Sequence, residues 1–134
     1  MWAIDKYNAF FSMISKINNL HCIVMSMNSH LFFLKQLQLP QNSTLIFQLN
    51  HVLDIAALIS QVDCVFSPDT AIPHIAQCFN KPLLTIYSSE FFCKEWTVSD
   101  DLSDYICSSP GNSPATIPAE DVYQKFIDML NRCA

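Results

Sequence analysis

Asp69, Thr70, Pro73 and His74 fall within six residues, in the run VFSPDTAIPHIAQCFNKPLLTIYS spanning 65–88. The spacing predicts a helix from Thr70 to Phe79, with the acid, the hydroxyl and the proline in or just before its first turn. Side-chain oxygens of Asp69 or Thr70 suit free amides at a helix start. Pro73 belongs in a first turn, where its missing N–H leaves nothing unpaired. First-turn amides left over, with the helix dipole behind them, favour an anion such as a phosphate. His74, one turn in, could turn a ring N–H toward the same anion. Each piece also has an ordinary use: Asp and Thr are routine caps, and a lone histidine near a helix end is commonly a surface residue. On residue types alone the stretch is therefore either an anion site or a well-capped helix. Asn80 suits the left-handed residue that closes a helix, Pro82 blocks continuation, and Lys81 offers a cation or a solvated surface charge.

The surrounding pattern must position that junction. Apolar residues at Ile4, Tyr7, Phe10, Phe11, Ile14 and Ile17 predict a helix over 4–18, ended by Asn18-Asn19. The run HCIVMSM, 21–27, predicts a buried strand. Ser29 suits the cap of a helix reaching about Gln38, with Pro40 as its stop. Strands are expected at 44–49, 63–66 and 83–87, and a helix capped by Asn50 between the first two. Residues 88–104 read as a loop with a helical turn, 105–107 as an edge strand, and 119–132 as a closing helix with Glu120 and Asp121 in its first turn. Helix and strand alternate with short links, which predicts a Rossmann-like α/β domain: one parallel sheet with helices on both faces. Such domains usually open on a strand, whereas this pattern opens on a helix. The whole of 1–134 is thus expected to be a single domain shortened at its N-terminus. An open sheet of that kind predicts self-association or a partner.

Composition narrows the classes. Of the 134 residues, 51% are apolar, enough for a sizeable core, and only one is glycine. The formal net charge of -5 disfavours a general nucleic-acid binder but leaves room for a small anionic ligand. The six cysteines form no CxxC pair and no zinc-finger spacing. Cys22, Cys64 and Cys78 lie in apolar segments and read as buried reduced thiols, with a disulfide set or a metal site as the alternatives. No stretch reaches the length of a bilayer span, and MWAIDKYNAFF lacks the pattern of a signal peptide. The chain reads as cytoplasmic, working near a membrane.

The run AALISQVDCVFSPDTAIPHIAQCFNKPLLTIYS resembles the signature region of glycosyltransferase family 9, the ADP-heptose:lipopolysaccharide heptosyltransferases. The matching residues are Leu58, Ile59, Val62 and Asp63, then Asp69, Thr70, Ala71, His74 and Ala76, then Lys81 and Pro82. MWAIDKYNAFFSMI is similar to the family's tryptophan segment, with Trp2, Asp5 and Tyr7 in register. The resemblance implies the C-terminal, donor-binding half of a GT-B fold, whose active site lies between two Rossmann-like domains. It implies an ADP-heptose or similar nucleotide-sugar donor, used for the lipopolysaccharide or lipooligosaccharide core. Donor diphosphate contacts are implied at Asp69, Thr70, Ala71 and His74, with Asn28, Ser29 and Lys81 as further candidate donor contacts. Transfer would invert the anomeric carbon without a metal or other cofactor. Neither the catalytic base nor the lipid-linked acceptor's site is implied here, since both belong to the family's N-terminal domain. No catalytic residue is therefore assigned, and little activity is expected of the chain alone. Two departures stand out. Ala71 replaces a glycine that lets backbone approach a phosphate, and MSMNSH, 25–30, lacks the glycine and acid expected near the ribose. They favour the alternative of a non-catalytic remnant or interaction domain. A flavodoxin-like signalling or nucleotide-binding module fits the alternation but not the His74 match.

Overall fold

The computed structural model describes residues 2–26, 30–46, 49, 51–87 and 101–133. The elements run α1 Ile4–Ile14, β1 Cys22–Met25, α2 Leu31–Leu34, β2 Ser43–Ile46, α3 Val52–Gln61, β3 Val65–Pro68, α4 Ile72–Cys78, β4 Leu83–Tyr87, β5 Ser103–Cys107 and α5 Ala119–Cys133. All strand pairs are parallel. β4 is central between β3 and β5, while β1 and β2 form a separate pair. The alternation therefore yields the expected α/β class with its sheet in two pieces.

Period-2 alternation distributes the core to both faces. Leu84 and Ile86 of β4 join Trp2, Phe10, Phe11 and Ile14 around α1, and Val122, Phe126 and Met129 of α5. Leu83, from the opposite face of β4, joins Val65 of β3, Ile59 of α3 and Ala76 of α4. Every residue of β4 is buried, as a central parallel strand requires. Trp2 is only 1% exposed, and its indole Nε1–H donates to the Ile117 carbonyl at 2.9 Å. Its ring lies edge-on to Tyr7, Phe10 and Phe66. Burial of such aromatic rings stabilises by roughly 2–3 kcal/mol each.

Several expected boundaries shift, each for a local reason. α1 stops at Ile14 because the chain tightens into i→i+3 bonds, Lys16 to Met13 and Ile17 to Ile14, before the left-handed Asn19. α2 is a single turn rather than a helix to Gln38, for the same reason: Gln36 bonds to Phe33 and Leu37 to Leu34. β3 starts two residues late and absorbs Ser67-Pro68. Val65 N–H bonds to the Pro82 carbonyl, so alternation turns Phe66 and Pro68 away from β4, where a proline breaks no ladder bond. β5 begins at Ser103 rather than 105. His51 caps α3, its Nδ1 accepting from the Leu53 amide at 3.1 Å. The expected cap at Asn50 lies outside the described residues, as do Ser29 and 88–100.

The cysteine expectation also changes. Cys78 is exposed and Cys22 and Cys64 are half-buried, because α4 turns its Cys78 edge outward. Cys22, Cys64, Cys78 and Cys107 are in no disulfide. Burial pushes the Cys22 thiol up from its ordinary value.

Candidate functional site

Helices between parallel strands run back antiparallel to them, so the start of α4 lies at the carboxyl edge of the sheet. Asp69, Thr70 and Ala71 connect the end of β3 to α4, and His74 is its third residue. All four side chains are exposed at that edge. The sequence-predicted cluster is therefore brought together at the place where open α/β sheets bind ligands.

The local bonding is specific. The Thr70 hydroxyl accepts from the Ile72 amide at 3.2 Å, which makes threonine, not Asp69, the side chain that closes the helix start. Ser67, buried beneath, donates its proton to the Pro68 carbonyl at 2.8 Å. The Ser67–Thr70 hydroxyl contact of 3.3 Å then has Thr70 as donor. Thr70 thus has its proton turned inward and a lone pair on Ile72. Pro73 sits in the first turn and supplies no N–H. Two first-turn positions, 72 and 73, are consequently withdrawn from an incoming anion. The buried Ser67 support had no sequence signal beyond a serine facing the core side of a strand.

The far end of α4 is closed as its sequence requires. Asn80 is left-handed at φ 52°. Its amide bonds to the Gln77 carbonyl and that of Lys81 to Ala76, both at 3.0 Å, a Schellman pair. This places Lys81 at the opposite end of α4 from Thr70, at the amino end of β4, about 10 Å of helix away. Lys81 is not brought to the Asp69–His74 cluster. Asn28 and Ser29 lie outside the described residues.

Sequence reading missed one charged group. Asp104 of β5 takes Lys125 Nζ at 3.2 Å and Arg132 Nη2 at 3.3 Å from α5. The partners are 21 and 28 positions away, beyond any local spacing signal, and the pairs tie α5 to the sheet rather than form a site. Among the described residues no group of three His, Cys, Asp or Glu is placed to hold a metal. Nor is any described helix long and apolar enough to cross a membrane.

Parallel strands with helices on both faces and exposed polar groups at a strand's carboxyl end define a Rossmann-type α/β domain. The model of glycosyltransferase family 9 (heptosyltransferase) matches residues 1–103, and the chain belongs to that family. The E. coli heptosyltransferase WaaC, solved with ADP-2-deoxy-2-fluoro heptose, superposes with a TM-score of 0.72 at 14% identity. The match covers 95% of this chain and 38% of that one, so the fold is that of part of a GT-B heptosyltransferase. Among curated proteins none matches significantly.

Proposed function

We propose that this heptosyltransferase-like domain binds the diphosphate of an ADP-sugar donor, ADP-heptose or a close analogue, at the start of α4. The reading extends to a role in lipopolysaccharide core assembly with a lipid-linked acceptor, in the cytoplasm beside the inner membrane. The observation that carries it is the exposed cluster of Thr70, Ala71 and His74 at the carboxyl end of β3, inside the family-matched region. Support also comes from the E. coli relative, which was solved with a fluorinated ADP-heptose.

The chemistry assigns distinct roles. Sugar transfer leaves negative charge on the departing diphosphate, and donors fixed in place stabilise it. The Ala71 amide can donate, and the exposed His74 ring carries a further N–H. The Thr70 hydroxyl can donate only by rotating away from Ser67. Asp69, when ionised, can only accept, so beside a diphosphate its use is to orient a neighbouring N–H or a sugar hydroxyl. With no base assigned to this chain, it supplies donor binding and leaving-group stabilisation, and transfer requires a second domain.

The withdrawal of positions 72 and 73 favours a second reading, a domain that keeps the fold without gripping a donor. An amide NMR titration with ADP separates the two. Binding shifts Ala71, Ile72 and His74 in the millimolar range or below. Unmoved amides at millimolar ADP leave the non-binding reading.

A further inference from the structure

Charge is distributed unevenly along the chain. Residues 6–53 contain Lys6, Lys16 and Lys35 but no Asp or Glu, although the formal net charge of the whole is -5. Within that stretch the α2 turn presents apolar surface: Leu31 is exposed and Phe32 is 81% exposed, with an exposed Lys35 directly after them. Phe33 instead packs on α1, its ring edge-on to Tyr7 at 5.8 Å. Asn8 of α1 fixes the chain beyond α2. Its Nδ2 donates to the Gln36 carbonyl at 3.2 Å, and its Oδ1 accepts from the Gln38 amide at 2.7 Å. A cleft of about 470 Å³ opens beside this clamp, with Ser12, Lys16, Gln38 and Gln41 in its lining and no acid. Asp5 stands at the start of α1, seven residues ahead of Ser12, or about 10 Å along the helix. α5 packs on the Phe10 side of α1, through Phe126, and carries Glu120, Asp121 and Asp128.

We infer that the α2 turn and the adjoining flank of α1 dock on an anionic phospholipid bilayer. Leu31 and Phe32 enter the boundary of the acyl chains, and Lys35 and Lys16 meet lipid phosphates. The hydroxyl, amide and ammonium groups of the cleft donate to headgroup oxygens. Two needs select this occupant. An exposed phenylalanine gains burial only against an apolar medium. The lysines and the acid-free cleft gain only from an anion. A bilayer of acidic lipids supplies both on one surface, whereas a soluble phosphate gives nothing to Phe32. The acids of α5 lie across α1 from Asn8, so the α2 flank meets the lipid and α5 stays in water. The inference deepens the membrane-side placement proposed above and rests on it for location alone. Donor binding is not involved. α4 packs with α3 in the other helix layer, so ADP binding and bilayer docking can each fail alone.

The test uses the 134-residue chain and flotation with vesicles of phosphatidylcholine containing about a quarter phosphatidylglycerol. Binding is expected to be at least about tenfold tighter than to phosphatidylcholine alone, and to weaken as salt rises. Phe32→Ser should weaken it at least about tenfold. Lys16→Ala and Lys35→Ala should each weaken it about fivefold. Leu53→Ser removes an exposed apolar residue of α3, in the other helix layer, and should change nothing. Phe32→Trp gives a second measurement should the serine variant not fold: its added emission should shift to the blue with the acidic vesicles only. Absence of binding overturns the inference, as does equal binding to neutral vesicles or an equal loss in Leu53→Ser. Sedimentation as a dimer that Phe32→Ser dissociates, without vesicle binding, would give the face to a second copy. Glycerol phosphate shifting the Ser12 and Lys16 amides in a chain that ignores vesicles would make the cleft a site for a soluble anion. Either result overturns bilayer docking.

Discussion

At the scale of single residues, one hydroxyl has two uses that compete. Thr70 closes α4 by accepting from Ile72, and its proton is held by Ser67. Thr70→Val keeps the shape and removes both bonds, so thermal unfolding should show a loss of about 1 kcal/mol, whereas Thr70→Ser should retain most of it. Ser67→Ala frees the Thr70 proton. If Thr70 contacts the diphosphate, ADP affinity by calorimetry should hold or rise in Ser67→Ala; a clear fall would assign the pair to structure alone. His74 is exposed at that edge, and His74→Ala should weaken ADP about three- to tenfold. Tyr7 makes a different prediction. Burial pushes its phenol from 10.0 up to about 12. The folded state then holds that proton where the unfolded chain has lost it. Its contribution is intact below pH 10 and disappears as pH climbs toward 12, amounting to about 2–3 kcal/mol. Tyr7→Phe should flatten that alkaline decline in denaturant melts. A decline of equal size in the variant would show that another group causes it.

Elements were legible where local physics decides them. β4 is read residue for residue because five apolar or β-branched positions between Pro82 and Ser88 have no alternative to a buried strand. The closing turn of α4 was legible too, since Asn, Lys and Pro in that order specify a left-handed end. Long-range pairing was not: the β3 boundary depends on which side of the strand Pro68 faces, and that is set by its partner strand. The site divides in the same way. Asp69, Thr70 and His74 announce a helix start, but no local signal shows that Thr70 takes the Ile72 amide with Ser67 beneath it. Asn80 tests how far the local reading extends. At φ 52°, Asn80→Gly should hold or raise stability, while Asn80→Val forces a β-branched residue into the left-handed region and should cost about 1–2 kcal/mol. Equal melting of the two variants would mean that the Schellman bonds do not constrain the turn.

Across the whole molecule, burial is unequal on the two sides of the split sheet. The β3–β4–β5 side holds the fully buried strand, is covered by α4 and α5, and is tied by the Asp104 pairs. On the other side no residue of β1 or β2 is fully buried. There Ile23, Leu31 and Leu45 are exposed, and Phe32 reaches 81%. Local stability follows buried apolar contact, so the two sides should open separately. Native-state hydrogen exchange at rising denaturant should show the β1–β2 ladder amides, Val24 among them, exchanging through an opening of clearly lower free energy than Leu84 or Ile86. The β4 amides should follow global unfolding. Coincident exchange of Val24 and Leu84 at every denaturant concentration would make the chain a single cooperative unit, and the division of the sheet would then have no energetic consequence. A lower opening energy confined to the β1–β2 side would instead locate the weakness of the domain in its least covered strands.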